Sequence, residues 1–215
     1  MKKLAIIGAG HLGQLIAHHT IENQELVMAG FYDDFQTKGR FVGSAKILGD
    51  ISEIEKDFSE GVFDKIIIGI GYKHPELRKE LYETFQDKIP FANIIHNKAI
   101  VDSSVEMGEG NVILAGSILD MHVRIENNVF INPGCVIAHD SIIASHTFLA
   151  PAVNIAGFAS IGASCFLGIN TTIIDHIAVC NWVRTGASST VTKSITEKGL
   201  YVGSPAEIVL DREQE

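Results

Sequence analysis

The chain has 215 residues, 46% hydrophobic and 20% charged, the composition of an ordinary globular protein of one domain or two small ones. Its 26 acidic residues outnumber 17 basic ones, for a net charge near −9, and no run of Lys and Arg is present to track a phosphate backbone, which argues against a nucleic-acid partner. No stretch approaches the roughly 18 apolar residues of a membrane helix, and Cys135, Cys165 and Cys180 lack the C-x-x-C spacing of a zinc knuckle or the even count of a disulfide framework, so a reduced, cytoplasmic setting is expected.

In chain order, two lysines precede LAII (4–7), a short apolar strand. The start has a superficial likeness to a secretion signal, but glycines and His11 break the apolar run and no leader is expected. GAGHLG (8–13) fits G-x-G-x-x-G directly after that strand, and Leu12, Leu15, Ile16 and His19 then fall at i, i+3, i+4 and i+7, which predicts one face of a helix. LVMAGFY (26–32) is a second buried strand ending at Asp33 and Asp34. KIIIGI (65–70) is a third, and PELRKELYETF after it places Leu77, Leu81 and Phe85 on one helical side. Alternation of this kind predicts a small parallel, Rossmann-like sheet wrapped by helices over residues 1–93.

From Ile95 the period changes to six. Every sixth residue, from Ile95 through Val101, Met107 and Ile113 to Val179, Thr185 and Val191, is a sizeable apolar side chain except Thr185. Four places after each stands a mostly small or β-branched residue, among them Ser117, Cys135, Ser141, Thr147 and Cys165. A strict hexapeptide repeat predicts a left-handed parallel β-helix over residues 94–215. Three hexapeptides make each triangular coil, residues 18 apart stack, and stability comes from neighbouring coils.

The hexapeptide run resembles the acyltransferase superfamily that uses acyl-coenzyme A. Taken whole, with GAGHLG, FYDDF, IGIG, INPGCVIAHD, CFLGIN and EKGLYVGSPAE, the chain is similar to a branch of bacterial sugar-nucleotide N-acetyltransferases acting on UDP-linked 4-amino-4,6-dideoxy sugars, with relatives that acetylate GDP-perosamine and sialic acid. The resemblance implies acetyl-CoA as donor, a homotrimer with sites between neighbouring β-helices, and a place in lipopolysaccharide or glycan biosynthesis. It implies His139 as catalytic base, Asp140 as the acid beside it and Asn132 as a sugar contact. Gly8, Gly10, His11, Asp33, Asp34 and Gly69 would hold the nucleotide sugar, and Gly157, Ile169, Ala187 and Lys193 the coenzyme. The chain departs from the family at three places. Phe148 stands where a second histidine is common, with His146 out of register; Asp140 replaces Glu; and Glu207 replaces a lysine.

The chemistry suits these residue types. An amine attacks a thioester only when unprotonated, and histidine, with an unperturbed pKa near ~6.5, is the side chain best matched to taking its proton at neutral pH. A carboxylate fixes the tautomer of such a base, and Asp140 is assigned that role on condition that the pair sits at a corner, since adjacent strand residues face opposite sides. Gly157 follows His139 by one coil and Met121 precedes it by one; a glycine there is expected to leave open space and a bare N–H for the oxyanion. His122 and His176 share Asp140's 18-residue ladder and are read as packing. Acetylation of a sugar hydroxyl, or binding of a nucleotide sugar without catalysis, are the alternatives. NAD is disfavoured although Asp33 would suit a ribose hydroxyl, because a β-helix follows the sheet at once and leaves no domain for hydride transfer. No metal is expected, because His139 and His146 are seven apart and lack a close ligand pair.

Overall fold

The computed structural model of the chain describes residues 1–20 and 25–209. They form two compact units, one of residues 1–97 with 109–111 and one of residues 98–108 with the chain from 112 onward.

In the first unit, strand β1 (Lys2–Ile7) runs into helix α1 (His11–Thr20) and strand β2 (Leu26–Tyr32). A short antiparallel pair, β3 (Phe41–Val42) and β4 (Ala45–Gly49), precedes helix α2 (Ile54–Ser59), strand β5 (Lys65–Ile68) and helix α3 (Pro75–Phe85). The sheet order is β3-β4-β2-β1-β5, with β4, β2, β1 and β5 parallel. Strands covered on both faces read as unbroken apolar runs, and Leu4, Ala5, Ile6 and Ile7 are fully buried, as are Ile66 and Ile67. Because the chain passes from β1 outward through β2 and β4 and returns to β5 on β1's other side, the strand order reverses at the β1/β5 boundary, where open α/β sheets hold ligands at the carboxyl ends of their strands.

Helix faces differ from the expectation. Gly13, Ile16, Ala17 and Thr20 form the buried side of α1, while Leu12, Leu15 and His19 are only half-buried. The reason is a close approach of backbones: a Cβ on Gly13 would lie 2.0 Å from the Gly8 carbonyl oxygen, so the bare glycine, not a leucine, faces the sheet. On α3, Leu81 and Phe85 are buried as predicted, but Leu77 is exposed and Arg78 is buried with its guanidinium donating to the Ile70 carbonyl at 2.8 Å. The strand predicted over 65–70 ends at Ile68.

The second unit is a parallel β-helix. One face stacks the two-residue strands Ile100–Val101, Ile118–Leu119, Val136–Ile137, Asn154–Ile155, Thr172–Ile173 and Thr190–Val191. A second runs from Glu106–Met107 through Ile142–Ile143 to Ala178–Val179, and the third includes Phe130–Ile131, Phe148–Leu149 and Phe166–Leu167. Leu119 pairs with Ile137, Ile137 with Ile155 and Ile155 with Ile173, so the register is 18 residues per coil. Of the inward row, Ile113 through Val191 are buried, Val101 and Met107 are half-buried and Ile95 is 41% exposed, so the filled prism starts later than the repeat does.

From Gly116 to Ser188 each corner turns through one residue in the left-handed region, three places after the inward aliphatic. His122, Asn128, Gly134, Asp140, His146, Ala152, Phe158, Ser164, Asn170, His176, Trp182 and Ser188 all have φ between 54° and 73°. That conformation costs an L-residue on the order of 1–2 kcal/mol, and here the stacked coils impose it even on Phe158 and Trp182. The next residue points inward, and its small polar head satisfies a backbone carbonyl of the coil: the Ser117, Ser141 and Thr147 hydroxyls and the Cys135 and Cys165 thiols each donate to the carbonyl 15 residues on, at 2.8 to 3.2 Å. Burial pushes the two thiols up, Cys135 to about 11 and Cys165 to about 12. Thr185, the exception in the aliphatic row, is buried because its hydroxyl accepts from the Gly168 N–H at 2.9 Å and meets Thr171 Oγ1 at 2.7 Å. A terminal antiparallel pair, Gly199–Val202 with Glu207–Val209, covers the last coil on the third face.

Candidate functional site

In the first unit the three glycines of the fingerprint converge on the strand-order reversal, each for its own steric reason. Gly8 turns the chain at φ +97°, and Gly13 and Gly69 approach so closely that a Cβ on Gly69 would lie 2.7 Å from the Gly13 Cα. Gly10 has open space where a side chain would stand, next to His11 at the amino end of α1, where first-turn N–H groups lack intrahelical partners and suit an anion. Asp33 is more committed than its spacing suggests: its Oδ2 accepts from the Ala9 N–H at 2.8 Å and its Oδ1 from the Phe35 N–H at 2.9 Å. The carboxylate therefore fastens the glycine loop to the end of β2. Asp34 accepts from the Ile51 N–H at 2.8 Å, while Phe35 between these contacts is 95% exposed.

In the second unit, His139 and Asp140 sit in the turn between the first and second faces, outside the prism. The left-handed φ of Asp140 swings its carboxylate back beside its neighbour, and His139 Nδ1 meets Asp140 Oδ2 at 2.9 Å. This satisfies the corner condition. The carboxylate favours a proton on Nδ1, which leaves the Nε2 lone pair as the basic site. The hydrogen bond from His139, with His122 adding to it, holds the Asp140 carboxyl below the usual carboxylate range. His139 keeps 40% of its side-chain surface exposed and Asp140 32%, so a solute reaches both.

Gly157 is where the structure revises the sequence reading. The space over the glycine is not open: the imidazole fills it, and a Cβ there would meet His139 Cε1 at 2.8 Å and Nε2 at 2.9 Å. Missing side-chain bulk thus seats the ring itself. Phe158, one residue on, puts its ring edge-on to His139 with centroids 5.1 Å apart and stacks on His176 at 4.8 Å. Sequence reasoning passed over Phe158, although a spacing of one coil plus one residue from His139 was there to be read.

Lys193 lies in the same corner column as His139 and Gly157, three coils along, and is exposed. Ile169 and Ala187 occupy a different corner, between the third and first faces, so the expected path past Gly157, Ile169 and Ala187 crosses two edges of one prism. Asn132 is half-buried, and its side-chain amide donates to the Leu149 carbonyl at 2.8 Å. Phe148 stacks on Phe130 with centroids 4.8 Å apart, and His146 is buried with Nδ1 at 3.1 Å from Asn128 Nδ2; neither stands on the His139 corner. No set of three His, Cys, Asp or Glu side chains suited to a metal ion occurs among the described residues.

Comparison with known proteins agrees with this architecture. Residues 3–85 match the PglD N-terminal domain and residues 122–157 match the bacterial transferase hexapeptide, six repeats. A variant of the GDP-perosamine N-acetyltransferase of Caulobacter crescentus, solved with CoA and GDP-perosamine, is 27% identical over 98% of both chains with a TM-score of 0.91. The acetyltransferase domain of PglB from Neisseria gonorrhoeae, solved with acetyl coenzyme A, shares the fold at 23% identity and a TM-score of 0.86, over 97% of this chain and 99% of that one. Among curated proteins, the UDP-3-O-acylglucosamine N-acyltransferase of Delftia acidovorans is 32% identical over 103 residues, which is 48% of this chain and 30% of that protein's length.

Proposed function

We propose that the chain is a hexapeptide-repeat sugar-nucleotide N-acetyltransferase with a PglD-type N-terminal domain, which transfers an acetyl group from acetyl-CoA to the amine of a nucleotide-linked amino sugar. The observation that carries this is the His139–Asp140 pair, oriented at 2.9 Å on an accessible corner and seated against Gly157.

In this reading His139 Nε2 takes the proton from the attacking amine, worth about 10² to 10⁴ in rate, while Asp140 holds the other nitrogen and stabilises the imidazolium as it forms. The Gly157 N–H serves as donor to the oxyanion on the thioester carbonyl. Collapse of the tetrahedral adduct expels the CoA thiolate, which leaves as the thiol with the proton held by His139. Gly8, Gly10, His11 and the amino end of α1 receive the diphosphate, Asp33 keeping that loop in place, with Asp34 and Gly69 beside it and Asn132 on the sugar. A UDP-linked 4-amino-4,6-dideoxy sugar is the acceptor class favoured.

The coenzyme is assigned to Gly157, Ile169, Ala187 and Lys193. Because these stand on two edges of a single prism, one groove past all of them requires edges from two copies, which supports a homotrimer as the acting form. We place that trimer in the cytoplasm, in glycan biosynthesis.

The test is steady-state acetyl transfer from acetyl-CoA to UDP-, GDP- and dTDP-linked amino sugars, with His139→Ala beside the unaltered chain. The variant is expected to lose at least about a hundredfold in kcat while binding CoA nearly as before. Unchanged turnover removes His139 from the mechanism, and absence of turnover with every acceptor overturns the proposal.

A further inference from the structure

Asp140 has two oxygens, and only one is used by the base. Its Oδ1 lies 3.4 Å from Nδ1 of His122, the residue one coil earlier in the same corner column. Both residues take the left-handed conformation, at φ 58°, and the Asp140 N–H donates to the Met121 carbonyl at 3.0 Å, which locks the two corners in register. The 18-residue spacing suggested packing, yet the two imidazoles meet about a common carboxylate, one at each of its oxygens.

His122 is itself anchored. Its main-chain N–H donates to the Ser104 hydroxyl oxygen at 2.9 Å, and that hydroxyl donates to Asp102 Oδ1 at 2.6 Å. The groups facing this corner are Asp102 from the coil before, Glu106 and Arg124 on the second face, paired to each other at 2.9 Å, and His139 and His176 from the coils after; Asp120 at the corner accepts from the Met121 N–H. Ser104, Glu106, His122, Arg124, Asp140 and Ile142 line a pocket of about 340 Å³, so His122 has room to turn and its contact with Asp140 selects one orientation.

We propose that His122 is a positioning residue for the base: by holding the second oxygen of Asp140 it fixes the carboxylate plane toward His139 and so sets the Nδ1–H tautomer that leaves Nε2 free to accept the amine proton. This inference rests on the acetyltransferase reading above. No proton passes to His122, which acts through Asp140 alone. A carboxylate held at one oxygen swings about its Cβ–Cγ bond, whereas one held at both does not, and a misoriented base loses rate out of proportion to the distance it moves.

The experiment compares His122→Ala and His122→Asn with the unaltered chain by steady-state kinetics and by long-range ¹H–¹⁵N spectra of the imidazoles, which report the tautomer of His139 without any turnover. His122→Ala is expected to lower kcat about 3- to 30-fold with KM for both substrates within about twofold, and to reduce the Nδ1–H tautomer of His139. His122→Asn, whose amide reaches the same oxygen, is expected to recover most of both losses. The inference is overturned if His122→Ala leaves tautomer and kcat as they were, or if Asn is no better than Ala. If the tautomer responds as expected but the unaltered chain acetylates no nucleotide sugar, the positioning inference stands and the assigned reaction fails.

Discussion

Gly157→Ala isolates the seating of the base from everything else in the protein. The added methyl carbon would stand 2.8 Å from His139 Cε1 and 2.9 Å from Nε2, where ordinary contact begins at 3.4 to 4 Å, so the ring must retreat by about 0.6 to 1.2 Å. Gly157 does not occupy the left-handed region, so alanine fits its backbone, and the half-exposed ring has solvent to move into. Folding stability should therefore change by less than about 1 kcal/mol. Catalysis should not escape: a displacement near 1 Å at a reacting group costs on the order of 10²-fold in rate. The assay is release of CoA thiol with acetyl-CoA and the best acceptor, alongside a thermal melt of the same preparation. Turnover within threefold of the unaltered chain would refute the argument that the glycine exists to seat the imidazole.

Three further outcomes follow from the geometry. Gly13→Ala drives a methyl to within 2.0 Å of the Gly8 carbonyl oxygen, backbone against backbone, and should destabilise the sheet unit by about 3 kcal/mol in urea unfolding, with a parallel loss of nucleotide-sugar binding. The Asp140 carboxyl is held below its ordinary value, first by His139, so its contribution to stability is complete above the unfolded value near ~3.9 and disappears as pH falls through the folded one. The melting-temperature gap between the unaltered chain and Asp140→Asn should accordingly be present at pH 6 and shrink below about pH 3.9, and a gap independent of pH would contradict this. Cys135 and Cys165, buried and pushed up to about 11 and 12, should resist a thiol reagent at pH 8 until the protein is unfolded, and rapid native labelling of either, read by mass spectrometry, would show the coils to be open.

The period of six in the sequence carried most of the second unit, because a coiled repeat turns a local spacing into a long-range contact: whatever stands 18 residues on is the neighbour in the next coil, as Leu119 and Ile137 are. Inward aliphatics, small polar corner residues and the shared ladder of His122 and Asp140 are all legible that way. What the period could not supply is the direction of a side chain at a corner. The left-handed φ of Asp140, which brings it to both His139 and His122, belongs to the coil and not to aspartate.

In the first unit, composition and alternation dictated the parallel sheet, since strands covered on both sides must be apolar throughout. The buried face of α1 was decided only in three dimensions, where the contact of Gly13 with Gly8 outweighed the leucines at helical spacing. The role of Asp33 as a fastener of the loop likewise emerged only on folding, because its partners, Ala9 and Phe35, are backbone groups that no residue pattern names. Where contacts recur at a constant separation the sequence alone determines them; where elements of unlike kind meet once, their partners exist only after folding.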